Sequence, residues 1–256
     1  MRINNNITAL NNHRNMSINN IASGKSMEKL SSGLRINRAA DDAAGLSVSE
    51  LMRGQIRGLQ QAQRNAQDGI SFVQTAEGAM NEVSAMLVRM KELNVQKASG
   101  TYSTEDKANI DAELNQLGKQ IDSIVDDTKF NGTAITTGAS IVVLDNDSTK
   151  IQISGITTTS IKGLTSASAT SVIETAIKAT STERAKLGAV QNRLEYTSNN
   201  LGTTIENLSA AESRVRDTDM AKEMVDLTKK NILLQASQAM LAQANQQPQG
   251  VLQLLR

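Results

Sequence analysis

The chain reads as mainly α: an elongated, nested antiparallel coiled-coil and helix bundle carrying a small β-hairpin tip. Three observations predict this class. Apolar residues recur at three- and four-residue steps over most of the sequence, the spacing of one helix face. Phe72, Tyr102, Phe130 and Tyr196 are the only aromatics in 256 residues, with no Trp. Too few for an ordinary globular core, they suffice where thin helical seams are filled by Leu, Ile, Val, Met and Ala. Pro248 is the sole proline, so little in the chain interrupts a helix.

An N-terminal helix is expected first, from Ile3, Ile7, Leu10, Arg14, Ser17 and Ile21, set in an Asn- and Ser-rich background. Leu30 to Gly45 then carries break-and-restart signals at Gly33, Asn37 and Gly45, with Asp41 or Asp42 as N-cap for the next helix. Leu34, Ile36 and Leu46 offer this stretch anchors, so an ordered connector is expected. From Leu46 to about Lys97 the set Ile56, Leu59, Gln63, Ala66, Ile70, Val73, Glu77, Met80, Val83, Leu87 and Met90 predicts one long helix. At 1.5 Å per residue it spans roughly 75–80 Å. After a turn, Thr104, or Ser103 with Asp106, caps a second helix bearing Ile110, Leu114, Leu117, Ile121 and Ile124.

From Phe130 to about Thr165 the pattern changes. Asn131-Gly132 signals a tight turn, and Ile141 to Leu144 with Ile151 to Ile153 reads as a short hairpin. Ser and Thr dominate the remainder, predicting an exposed tip. Heptads return from about Thr170 through Ile173, Ile177, Thr180, Arg184, Leu187, Gln191, Leu194, Ser198, Leu201, Ile205 and Leu208. Arg214 to Asp219 is a return connector facing Leu34 to Asp42. Last comes a helix with Met220, Leu227, Leu234 and Leu241 seven residues apart, closing on Val251, Leu252, Leu254 and Leu255. Residues 1–45 and 213–256 thus form a terminal coiled-coil domain with connectors. Residues 46–212 form a rod whose β tip lies at about 130–165. Both terminal helices are half polar and have too little apolar area to order alone.

Composition narrows the functions. Net charge is +1 with both signs interspersed, which gives nucleic acid no basic stripe to bind. No apolar run approaches the length of about 18 residues that a membrane helix needs. MRINNNITALNNH lacks the charged-then-apolar design of a cleaved signal, so none is expected. With no Cys there is neither disulfide nor thiol chemistry. His13 is the only histidine, which removes His triads and HExxH zinc sites. Asp41-Asp42 and Asp126-Asp127 sit at helix ends, and Asp145-Asn146-Asp147 lacks the Gly and Glu of a calcium loop. Met80, Met86 and Met90 read as core. No enzyme, cofactor or metal is expected.

Several strings carry more than periodicity. LSSGLRINRAADDAAGL, RNAQDGISFVQTAEGAMNE, KFNGT, LGAVQNRLEYT, NLSAAESRVRDTDMAKEM and QAMLAQANQQPQGVLQLLR closely resemble bacterial flagellin, up to about Asn131 and after about Val172. The resemblance implies a secreted, extracellular subunit of the flagellar filament. It would be exported unfolded by the flagellar type III pathway, with an export chaperone, the filament cap and hook-associated proteins as partners and itself as chief partner. The short middle implies a form without outer surface domains. Two rival readings are a hook–filament junction protein, which shares the terminal coils, and a generic coiled-coil scaffold. Carried over by position, the family's contact with vertebrate Toll-like receptor 5 falls on Arg89, Leu93 and Glu113, all expected to be exposed. Val251 to Arg256 resembles the segment read by intracellular flagellin sensors. Leu227, Leu234, Leu241, Val251, Leu252, Leu254 and Leu255 are the implied assembly and chaperone contacts.

Overall fold

The computed structural model describes residues 6–146 and 149–254, the stretch 247–254 in backbone only. It contains α1 (Ile7–Ser32), α2 (Ala43–Ala98), α3 (Thr104–Asp127), β1 (Lys129–Phe130), β2 (Thr133–Ala134), β3 (Gly138–Val142), β4 (Lys150–Ser154), α4 (Thr170–Arg216) and α5 (Met220–Leu254). The protein is mainly α, with two short antiparallel hairpins. Two compact units divide within α2 and α4: one is Gln55–Asn207, the other joins the residues up to Gly54 with those from Leu208. No helix among the described residues is long and apolar enough to cross a membrane.

In the Gln55–Asn207 unit, α2, α3 and α4 pack side by side. Arg184 meets Glu77 at 2.7 Å and Lys91 meets Glu174 at 2.9 Å, a pairing order that runs α4 antiparallel to α2. The buried stripe of α2 is Leu59, Ala62, Ala66, Gly69, Val73, Ala76, Met80, Val83, Leu87 and Met90, an unbroken alternation of three and four. It corrects the expected Gln63 and Glu77 to their small neighbours Ala62 and Ala76, while Ile70 packs half-buried against the core beside Gly69. The same shift brings Ala176 and Glu183 into the α4 seam beside Ile173, Thr180, Leu187, Leu194 and Leu201. Small side chains let backbones approach. A Cβ on Gly69 would stand 3.0 Å from Ile141 and 3.3 Å from Leu194. Glu77 and Arg184, expected inside the seams, pair across their edge instead.

α3 begins with a capping box: Ser103 accepts from the Asp106 amide, and Asp106 accepts from the Ser103 amide. β1 and β2 turn at Asn131-Gly132, both at positive φ, as a tight hairpin requires. Phe130 sets its ring edge-on to Phe72 at 6.0 Å. β3 and β4 pair with Ile141 opposite Ile151. The expected exposed tip is corrected beyond this hairpin. Residues 155–169 form a strap whose Ile156, Ile161 and Leu164 are buried in the helical core. Ser and Thr are abundant there, but three apolar anchors outweigh them. The strap crosses α3 at Gly118, where a Cβ would overlap the Leu164 carbonyl oxygen. Asn115 and Asp122 accept from the Ser166 and Gly163 amides at 3.0 Å each, and Lys162 reaches Asp126 at 2.6 Å.

In the other unit α1 and α5 run antiparallel, and their connectors meet. Leu34 and Asp217 form a bridge, the Arg35 amide donates to the Arg216 carbonyl at 2.7 Å, and the Thr218 amide to Gly33 at 3.0 Å. Asp42 caps α2 through the Gly45 amide, while Asp41 closes the turn before it by accepting from Asn37 and Arg38. Ile36 is buried, and Gly45 packs close to it: a Cβ there would stand 2.5 Å from the Asp42 carboxylate and 2.8 Å from the Ile36 terminal methyl, both side-chain ends. Arg216 meets Glu50 at 2.6 Å.

Candidate functional site: uncovered helix faces and a paired surface charge

The face that α1 turns to α5 is Ala9, Asn12, Met16, Asn19, Ser23, Ser26 and Leu30, a perfect three–four repeat of mostly small or polar residues. This corrects the expected seam of Ile7, Leu10, Arg14, Ser17 and Ile21, which is exposed throughout; Ile3 lies outside the described residues. The partner face of α5 is Leu227, Lys230, Leu234, Ser237, Leu241 and Ala244, so the three heptad leucines do lie toward α1. Met220, expected with them, is exposed. Ser23 donates to the Asn231 side chain at 3.1 Å and Lys230 donates to Ser26 at 2.5 Å, so polar contacts run alongside the leucines.

Many other large apolar residues point away from the pair. Ile21 is 63% exposed and Val225 68%, and Ile7, Leu10, Ile18, Met27, Met224, Ile232, Leu233 and Met240 behave alike. Met224, Val225, Thr228, Lys229, Ile232 and Leu233 line one shallow groove on α5. Apolar spacing does not single out Ile18 and Met27, because the repeat that matters is built of serines and asparagines that apolar counting ignores. Of the terminal cluster, Leu255 lies outside the described residues, and the side chains of Val251, Leu252 and Leu254 do too.

The second predicted site lies on the helical bundle. Arg89 donates through Nε and Nη2 to Glu113 Oε1 at 3.2 and 3.1 Å, joining α2 to α3 across a surface where both are about half exposed. That hydrogen bond, then its charge, holds the guanidinium still more firmly protonated than usual, with a weaker contribution from Glu92. Leu93 departs from expectation: it is 2% exposed. One turn beyond Arg89, it extends the Met90 edge of the seam into the core, so its side chain is not offered to solvent.

The chain matches the bacterial flagellin N-terminal helical region over residues 3–140 and the flagellin C-terminal helical region over 170–255. The chain belongs to the bacterial flagellin family. It is 54% identical to a flagellin of Halalkalibacterium halodurans and 49% identical to one of Bacillus subtilis, each alignment covering both chains completely. A flagellar filament 33 kDa core protein of Treponema phagedenis is 46% identical, again over both full lengths. A crystal structure of Bacillus cereus flagellin is 32% identical, with a TM-score of 0.49 over 58% of this chain and 94% of that one. Only residues 141–169 separate the two flagellin regions, and the end of β3, β4 and the strap lie there, so this flagellin has no large outer domain.

Proposed function

We infer that this flagellin is the structural subunit of a bacterial flagellar filament, an extracellular appendage, and that it polymerises through its terminal helices. One observation carries the reading: α1 and α5 pair through a mixed face of leucines with small and polar residues and leave Ile7, Leu10, Ile18, Ile21, Val225, Ile232 and Leu233 facing outward. Apolar stripes left uncovered in this way normally mark an interface, and a second copy of the same chain offers matching stripes. Full-length kinship with flagellins supports the same conclusion. The test is seeded polymerisation of purified chain, read by electron microscopy. Wild type is expected to elongate seeds, and the Val225→Ser, Ile232→Ser double variant to fail while its Gln55–Asn207 unit melts normally. Normal elongation by that variant would remove the outward face from assembly.

Before assembly the same exposed α5 face suits an export chaperone, and the filament cap and hook-associated proteins would meet the terminal helices at the ends of the polymer. Export unfolded through the type III pathway suits a chain without disulfides. For host recognition the paired, exposed Arg89 and Glu113 favour a polar contact with Toll-like receptor 5, with Leu93 shaping the helix from beneath rather than touching the receptor. Intracellular sensors would read the C-terminal cluster around Leu254.

A further inference from the structure

Pro248, the chain's only proline, lies inside α5, which continues to Leu254. A helical residue normally returns its amide hydrogen to the carbonyl four positions back; proline has none to return. The carbonyl left without its helical donor is that of Ala244, a residue 4% exposed. At that oxygen the structure places the side chain of Asn6, whose Nδ2 donates to it at 2.7 Å across 238 residues of sequence. The other end of the same amide is occupied too: Asn6 Oδ1 accepts from the Ala9 amide at 3.1 Å and N-caps α1.

We propose that Asn6 and Pro248 form a register latch: the proline opens one carbonyl on α5, and the α1 cap fills it, fixing how the two terminal helices align. The connector bridge and the Ser23–Asn231 and Lys230–Ser26 contacts set the alignment near the C-terminal end of α1, and the latch sets it at the opposite end. Toward its N-terminus the α1 face is Ala9, Asn12, Met16 and Asn19, so a slip there would cost few apolar contacts. A slip would, however, leave the Ala244 carbonyl buried without a donor, which is expensive. Single buried polar groups set register in coiled coils for the same reason. A polymer of identical subunits needs every copy in one alignment, so the proposal rests on the filament reading above for its consequence, though not for its geometry.

The test is a double-mutant cycle in full-length chain, with the critical concentration for seeded polymerisation as readout. Asn6→Asp keeps the capping oxygen, and Asp caps as well as Asn, but it replaces the donor by a second oxygen facing the carbonyl. It is expected to raise the critical concentration about ten- to a hundredfold. Pro248→Ala gives Ala244 a helical donor again, so in that background Asn6→Asp is expected to cost less than about threefold. A purely structural loss at Asn6 would be the same in both backgrounds. Equal losses, or an Asn6→Asp chain that assembles like wild type, would overturn the latch. Amide exchange in the first turns of α1 is measured on the monomers in parallel, with faster exchange expected for Asn6→Asp and restored protection once Pro248→Ala is added. If wild type itself does not polymerise, the filament reading fails, and the exchange cycle still decides the latch.

Discussion

Arg89 and Leu93 stand four residues apart on α2 and have opposite surroundings. Arg89 faces water and pairs with Glu113, whereas Leu93 fills the core. Leu93→Ala is therefore expected to destabilise the helical bundle by about 2–5 kcal/mol, as buried leucine truncations do. Arg89→Asp should shift stability by under about 1 kcal/mol, because exposed ion pairs contribute little. Melting curves of the two variants check this; equal melting temperatures would return Leu93 to the surface. Asp41 carries a pH prediction. The Arg38 amide, chiefly, lowers its carboxyl below the ordinary 3.8; burial opposes it as the next largest effect, and the Asn37 amide and the charges of Lys25 and Lys29 add to the lowering. A lowered folded pKa means the contribution is fully present above 3.8 and is lost as pH falls through the lowered value. Protection of the Asn37 and Arg38 amides, measured against their intrinsic exchange rates, should fall on acidification below that point, and Asp41→Asn should blunt the change.

At the scale of elements, the strap is the part whose behaviour departs most from its composition. It is pinned by Ile161 and Leu164 below and by Asn94, Asn115, Asp122 and Lys97 around it. The close crossing at Gly118 leaves no room for a side chain, and the opposing atom is backbone, which cannot swing aside. Gly118→Ala is expected to cost about 1–3 kcal/mol and to expose residues 161–166 to protease, while α1 and α5 keep their pairing. If the variant resists cleavage like wild type, the strap is held by something other than that contact. Gly78, also in a helix, has open space where its Cβ would go, so Gly78→Ala should be neutral or stabilising.

For the whole molecule the apolar surface is divided between two tasks. The Gln55–Asn207 unit buries its leucines, isoleucines and valines within the chain, whereas α1 and α5 keep most of theirs outside. Deleting Val251 to Arg256 removes Val251, Leu252, Leu254 and Leu255, each contributing about 1.5–3 kcal/mol where fully buried. Loss of polymerisation with unchanged melting of the bundle is the expected result, read by electron microscopy and circular dichroism. A truncated chain that elongates seeds normally would mean that these residues are not assembly contacts.

Periodicity determined that α1 to α5 are helices, and it placed the residues recurring every seven, such as Leu59, Ala66, Val73 and Met80, or Ile173, Thr180, Leu187 and Leu194. Their burial comes from the helical repeat alone. The Ser103–Asp106 box and the Asn131-Gly132 turn were equally legible, since each depends on neighbours in sequence. What the tertiary structure decided was the other half of every seam. Ala62 over Gln63 and Ala76 over Glu77 are choices between adjacent positions, settled by how near the facing backbone comes. The same applies to α1, where serines and asparagines face α5 and isoleucines do not. Local spacing ranks residues by their own hydrophobicity; close approach rewards small size, and only the partner element sets that distance.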